Sequence, residues 1–162
     1  MYFVASMISV ALASRLLHAE VTALDVSAEA LAVAARNVER HHLSNIELIR
    51  ADVLSDLFPG KTFDLIVSNP PYISVDEFER LQPEIRDFEP RIATTDDGDG
   101  YRFIRGVSTV AAEKLRPGGW LLMEMGYNQS KIVQEIVSGF KFHEIEVFDD
   151  YAGIPRVVRG RK

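Results

Sequence analysis

Strand-like apolar runs alternate along this chain with amphipathic stretches of about ten residues or more, a pattern typical of α/β folds. The strand-like runs cover residues 20–25, 46–50, 63–68 and 120–125, followed by a closing pair at residues 140–148 and 156–161. The helix-like stretches cover residues 6–17, 28–40, 101–115 and 129–138. Consecutive strands joined by long helices pair in parallel, because the crossover returns the chain to the same end of the sheet. The sequence therefore predicts an α/β fold with a doubly wound, mostly parallel sheet in which an edge can be antiparallel.

The length, charge and cysteine content of the chain exclude several classes of protein. A chain of 162 residues, 47% of them hydrophobic, can bury the core of one globular domain. Its 18 basic and 24 acidic side chains give a net charge of −6, which argues against a duplex nucleic acid as partner because phosphate binding normally needs a basic surface. The sequence has no cysteine, which excludes disulfides, thiolate metal sites and a cysteine nucleophile, and fits a reducing cytoplasm.

The apolar run at the N-terminus could be mistaken for a signal peptide or a membrane segment. Residues 2–13 are apolar and end in an Ala-Leu-Ala pattern found at signal-peptide cleavage sites, but no Lys or Arg precedes them. The run is also too short to cross a bilayer, so we predict a packed helix and no membrane segment.

The acidic cluster at residues 96–99 lacks the residue order of a calcium loop, and the four histidines have no metal-ligand spacing. We therefore predict a solvated loop and no metal site.

Polar residues follow three of the predicted strands at their carboxyl ends: Asp25, Asp52 and Asn69. Each one alone is explained equally well as a turn residue, since Asp and Asn favour turns. The carboxyl ends of parallel strands, however, meet at the edge where open α/β sheets place their ligand crevice. There Asp25 could accept hydrogen bonds from two ribose hydroxyls, and Asp52 could accept one from the exocyclic amine of adenine. The convergence of the three residues favours nucleoside binding.

The tetrapeptide Asn69-Pro70-Pro71-Tyr72 lies directly after the strand at residues 63–68. Each proline fixes its own φ near −65°, and the first also keeps Asn69 out of the helical region. The result is a stiff, extended turn whose carbonyls have few local donors. An amide side chain, free carbonyls and an aromatic ring together suit a planar NH₂ group, which can donate to the acceptors and stack on the ring.

With these residues in this order, the chain resembles the S-adenosylmethionine-dependent methyltransferases that modify amino nitrogens. DNA adenine-N6 methyltransferases share the tetrapeptide, so other stretches must discriminate. Those stretches are residues 84–91, 97–100, 115–119, 124–129 and 150–158. In combination they are similar to the glutamine-N5 methyltransferases of peptide chain release factors, from about Ile8 to the C-terminus.

The resemblance implies a class I, Rossmann-like methyltransferase domain over residues 1–162, with S-adenosylmethionine as cofactor and a release factor as protein substrate. Asn69 and Tyr72, with Pro70 and Pro71 between them, would hold the glutamine amide. The implied cofactor-binding residues are Asp25, Asp52, Val53 and Asn69. An aromatic ring often stands at the position of Val53 in this family, so Val53 implies a thinner contact with adenine.

The chain departs from the family pattern at residues 2–7. Family members have there a first strand that ends in an acidic residue, then a glycine-rich loop around the methionine end of the cofactor. The chain has Tyr-Phe-Val-Ala-Ser-Met. We therefore expect the first strand and the glycine-rich loop to be missing or degenerate, in a family member that begins partway through its catalytic domain. Two alternatives remain open: an adenine-N6 nucleic acid methyltransferase, and a truncated, non-catalytic family member.

Overall fold

The computed structural model describes residues 2–55 and 58–162, and the side chains of residues 8–55, 58–84 and 86–162. Seven strands form one sheet: β1 (Tyr2–Ala5), β2 (Val21–Asp25), β3 (Ile46–Arg50), β4 (Phe63–Ser68), β5 (Leu115–Glu124), β6 (His143–Asp149) and β7 (Pro155–Arg161). Four longer helices are α1 (Ser6–Arg15), α2 (Ala28–Arg40), α6 (Arg102–Lys114) and α7 (Ser130–Gly139). Three single-turn helices lie between β4 and α6: α3 (Val75–Phe78), α4 (Pro83–Arg86) and α5 (Arg91–Thr94).

The strands follow the order β3-β2-β1-β4-β5-β7-β6. All neighbouring pairs from β3 to β5 are parallel, and β7 is antiparallel to both β5 and β6. The order runs one way from β1 to β3 and the other way from β4 to β5. Right-handed crossovers in opposite directions place α1 and α2 on one face and α6 and α7 on the other. The predicted doubly wound, mostly parallel sheet is therefore confirmed, with an antiparallel edge.

The first strand was expected to be missing or degenerate; it is present at the centre of the sheet, with only four residues. β1 pairs with β2 from Tyr2↔Val21 to Ala5↔Leu24, and with β4 from Tyr2↔Leu65 to Val4↔Val67. Four residues suffice because β2 and β4 each offer an edge of unpaired backbone groups that a short extended segment can satisfy on both sides. β1 then passes into α1 with no residue between them. The described chain accordingly has no glycine-rich loop at this position.

The hydrophobic core lies between the β4–β5–β7 part of the sheet and helices α6 and α7. Its fully buried members include Ile66, Leu121 and Met123 from the strands, and Ile104 and Val133 from the helices. β5 alternates buried and half-buried residues along Trp120–Glu124, which puts one side of the strand against these helices. This packing holds the ends of β4 and β5 at fixed positions. None of the helices in the described ranges is long and apolar enough to cross a membrane.

Candidate active site

A cavity of about 710 Å³ opens at the carboxyl ends of the strands, next to the point between β1 and β4 where the strand order reverses. This is where open α/β sheets bind ligands. Six of the predicted site residues line it: Asp25, Asp52, Val53, Asn69, Pro70 and Pro71. Residues far apart in the sequence therefore meet in one cavity, as their positions at the strand ends indicated.

Asp25 and Asp52 are held in matching turns. One oxygen of Asp25 accepts a hydrogen bond from the backbone N–H of Ser27 at 2.9 Å, and one oxygen of Asp52 accepts from that of Leu54 at 2.9 Å. The Ala51 N–H also donates to the Asp25 carbonyl at 3.1 Å, which ties the end of β3 to that of β2. A carboxylate accepts about four hydrogen bonds, so a turn bond of this kind leaves acceptor capacity for a ligand.

The charge around the cavity is mainly negative. Among the described residues, three carboxylates, those of Asp25, Glu29 and Asp52, line it with one guanidinium, that of Arg50. The Arg50 Nε donates to the Val26 carbonyl at 3.2 Å, so this cation lies at the rim between β2 and β3. Such a lining favours a ligand with a net positive charge near the ends of β2 and β3.

Asn69 and the prolines form the β4 side of the cavity. Pro70 is buried, Pro71 is half-buried and Asn69 is exposed. Within residues 2–55 and 58–162, the Asn69 side chain forms no hydrogen bond, so its amide is available to a ligand. An exposed carboxamide beside two proline carbonyls offers several acceptors within one small region.

Tyr72 is not among the residues that line the cavity. Its half-buried ring packs against the core, and its hydroxyl donates to Glu124 Oε1 at 3.1 Å. Burial raises the pKa of Tyr72, and the adjacent Glu124 carboxylate raises it further. The phenol is therefore protonated at neutral pH and serves as a donor that fastens the turn to the end of β5.

The segment after the tetrapeptide is tied to residues 94–98. The Ile73 N–H donates to the Thr94 carbonyl at 3.2 Å and the Val75 N–H donates to the Gly98 carbonyl at 3.0 Å. Ser74 and Glu77 form a reciprocal capping box at the start of α3. These bonds hold residues 73–78 as an ordered continuation of the turn.

Asp96 organises that second segment, so the prediction of a solvated loop at residues 96–99 was wrong for this residue. Only 4% of Asp96 is exposed. Its carboxylate accepts from three backbone N–H groups: Gly98 at 2.8 Å, Gly100 at 3.0 Å and Arg102 at 2.9 Å. Three donors compensate for the burial of a charge, and the last one belongs to the first turn of α6.

Several residues that line the cavity were not predicted from the sequence. Pro90, Ile92 and Ala93 line the cavity from the region around α5, and Phe103 and Val107 line it from α6. Pro90 and Ala93 belong to the stretches that carry the family resemblance, but the resemblance assigned no role to them. Apolar residues on a polar loop or on a helix have no pattern that distinguishes a cavity wall from ordinary packing. Among the described residues, no group of three His, Asp or Glu side chains could hold a metal ion.

Comparison with known proteins gives the context of this site. Residues 5–82 match the family model described as the methyltransferase small domain. Release factor glutamine methyltransferase from Fusobacterium nucleatum is 39% identical over 96% of this chain and 44% of its own length. That from Geobacter sulfurreducens is 44% identical over 95% of this chain and 54% of its own length. The chain thus spans about half the length of the curated relatives it matches.

Solved structures share the fold at lower identity. A methyltransferase from Pyrococcus furiosus is 19% identical, with a TM-score of 0.71 over 100% of this chain and 74% of its own. A putative methyltransferase from Streptococcus mutans, solved in complex with SAH, is 16% identical, with a TM-score of 0.65 over 99% of this chain and 88% of its own. These likenesses show that the chain has the Rossmann-like fold of class I methyltransferases.

Proposed function

We propose that the chain is a member of the release factor glutamine methyltransferase family, and that it transfers a methyl group from S-adenosylmethionine to the side-chain amide nitrogen of a glutamine in a peptide chain release factor. We assign residues 1–162 to one methyltransferase domain and place the reaction in the cytoplasm. The observation that carries the proposal is that Asp25, Asp52 and Asn69-Pro70-Pro71 line the same cavity. The acceptors proposed for the nucleoside and those proposed for the substrate amide therefore face the same cavity.

The residues at the ends of β2 and β3 fit the nucleoside part of the cofactor. The cavity of about 710 Å³ lies within the usual range for small-molecule sites, roughly 300–1,000 Å³. Asp25 would accept from the ribose hydroxyls, and Asp52 and Val53 would flank the adenine. The excess of carboxylates around the cavity favours a ligand that carries a sulfonium and an ammonium group. S-adenosylmethionine, when bound, supplies an electrophilic methyl group.

The contribution of the tetrapeptide is to position a weak nucleophile. The lone pair of an amide nitrogen is delocalised into its carbonyl, so orientation matters more than for an amine. The Asn69 side-chain oxygen and the Pro70 carbonyl would accept the two N–H bonds of the substrate amide. They would point its nitrogen at the methyl group and stabilise the positive charge that develops there. In such a transfer a nitrogen–carbon bond would form, the carbon–sulfur bond would break with its electron pair left on sulfur, and the surplus proton of the amide would pass to solvent. We therefore assign no general base.

Adenine-N6 methylation of nucleic acid is the second candidate, because the same tetrapeptide could hold the amino group of a flipped base. The net charge of −6 disfavours it. The similarity to release factor glutamine methyltransferases over nearly the whole chain disfavours it too.

Two measurements test the proposal. Calorimetry on the purified protein should detect S-adenosylmethionine binding well below millimolar concentration. Incubation with methyl-labelled cofactor should then label a bacterial release factor on glutamine, located by mass spectrometry, and leave adenine-containing DNA unlabelled. Labelled DNA would favour the second candidate. Cofactor binding without transfer to either substrate, or no binding at all, would favour a non-catalytic family member.

A further inference from the structure

Gln129 connects the start of α7 to the Asn69-Pro70-Pro71-Tyr72 turn. It occupies the N-cap position of α7, yet its side chain makes no capping bond to that helix. Instead, its Oε1 accepts from the Gly126 N–H at 2.8 Å and its Nε2 donates to the Tyr72 carbonyl at 2.8 Å. Only 3% of the residue is exposed, so both bonds form away from water.

We propose that Gln129 is a positioning residue for methyl transfer: it sets the orientation of the Asn69–Tyr72 turn by fixing the carbonyl at its far end. The inference rests on the proposed function of that turn. Gln129 lines no part of the cavity, so its effect would reach the substrate only through Tyr72.

The chemistry of the turn explains why such an anchor is needed. Pro70 and Pro71 have no N–H, so the turn cannot be fastened through its own central backbone donors. Their fixed φ angles make the turn stiff, and a stiff segment pivots as a unit about its ends. Because the Asn69 amide forms no hydrogen bond in the described chain, its aim depends on how the turn is held. Anchors at Tyr72 therefore decide where Asn69 points.

The Tyr72 carbonyl lies close to the backbone of Gly100 as well as to Gln129. A Cβ at Gly100 would lie 2.6 Å from the Tyr72 oxygen and 3.0 Å from Gln129 Nε2, so this carbonyl is enclosed on its second side by backbone. The Gly126 N–H can only donate and the Tyr72 carbonyl can only accept. A carboxamide is uncharged and serves both at once, because its oxygen accepts and its NH₂ group donates.

The test compares Gln129→Glu with Gln134→Glu. Glutamate at position 129 keeps an acceptor for Gly126 but, when ionised, has no hydrogen to donate to Tyr72. Gln134 lies on the same helix and donates only within it, to the carbonyl and hydroxyl of Ser130 at 3.2 Å. The two variants therefore make the same chemical change with and without contact to the turn.

For Gln129→Glu we expect kcat with the release factor to fall roughly tenfold to a hundredfold, because a misplacement near 1 Å has effects of that order. The calorimetric Kd for S-adenosylmethionine should stay within about twofold, since Asp25 and Asp52 are held by other loops. The ratio of variant to wild-type kcat should rise as the pH falls, because a protonated carboxyl regains a donor for Tyr72. Gln134→Glu should match the wild type in all three measurements.

Hydrogen exchange provides a readout that needs no substrate. Amides of residues 72–78 should exchange faster in Gln129→Glu than in the wild type or Gln134→Glu. Unchanged exchange there would overturn the inference even if the wild-type protein methylates no release factor, so the two proposals fail separately. Unchanged kcat, or a kcat loss matched by an equal loss of cofactor affinity, would also overturn it. If Gln129→Glu does not fold, Gln129→Met, similar in length and uncharged, replaces it with the same expectations apart from the pH dependence.

Discussion

At the scale of single residues, the proposed site residues differ in how many hydrogen bonds their side chains already make within the protein. The Asn69 amide forms none in the described chain, whereas Asp25 already uses one oxygen to hold Ser27. A group without internal partners can give its full capacity to a ligand, and a group with internal partners divides it. The two residues should accordingly respond differently to substitution.

Asn69→Ala should lower methyl transfer by on the order of a hundredfold or more, because it removes a positioned acceptor that acts on charge developing in the transition state. Cofactor affinity should change much less. Steady-state kinetics with the release factor and calorimetry with S-adenosylmethionine measure the two effects. Asn37→Ala, on α2 outside the cavity, is the matched control. Near-normal turnover of Asn69→Ala would refute the assignment of this motif.

Asp25→Ala should mainly weaken cofactor binding, since bonds to ribose are equally strong in the ground and transition states. Each lost hydrogen bond to a charged group costs roughly 1.5–3 kcal/mol at most. Asp25→Asn is a useful companion, because it keeps an acceptor for the Ser27 N–H and loses the charge. If calorimetry gives wild-type affinity for both variants, Asp25 has only its turn role.

At the scale of elements, the segment between β4 and α6 forms one wall of the cavity and depends on a single buried carboxylate. Asp96 bonds to three N–H groups spread over residues 98–102, the last of them in α6. The bonds of residues 73 and 75 to residues 94 and 98 then tie this organised loop to the turn. The wall is thus built from contacts between loops, and Asp96 holds the loop on the α6 side.

Asp96→Asn should lower the free energy of unfolding by roughly 1–3 kcal/mol, because one oxygen becomes an NH₂ group that faces a backbone donor. Urea denaturation measures this change. Asp97→Asn is the control, since the Asp97 side chain is 60% exposed and its ion pair with Arg91 contributes only about 0–1 kcal/mol. Equal stability of the two variants would show that the loop does not depend on Asp96.

At the scale of the whole molecule, β1 is the strand that joins the two halves of the sheet. It lies between β2 and β4, so every backbone group of its interior points to one neighbour or the other. The sequence predicted a missing or degenerate strand at this place. With β1 present, the backbone edges of β2 and β4 that face it are paired.

Val4→Pro should therefore destabilise the entire domain, because it removes a backbone N–H from a central strand and leaves its partner carbonyl unsatisfied. We expect the melting temperature to fall by on the order of 5 °C or more. Val4→Ile keeps the N–H and the β-branched shape, and serves as the control in the same calorimetric scans. A melting temperature unchanged by proline would mean that β1 contributes little to the sheet.

The sequence by itself determined the fold class and the polar residues at the strand ends that line the cavity. Strand and helix periods are local patterns, and parallel strands place their carboxyl ends together, so the order of residues along the chain was enough to assign Asp25, Asp52 and Asn69 to one edge of the sheet. The family resemblance rested on motifs that are likewise contiguous in the chain.

Only the tertiary structure decided how the site is supported. A four-residue strand is too short to have a recognisable period, so β1 became evident only through its pairing with β2 and β4. The Tyr72 ring faces the core and Glu124 instead of the cavity, a choice that depends on packing around it. Gln129 bonds to a carbonyl 57 positions away in the chain. Such contacts arise from the way elements pack against each other, and local sequence patterns do not predict them.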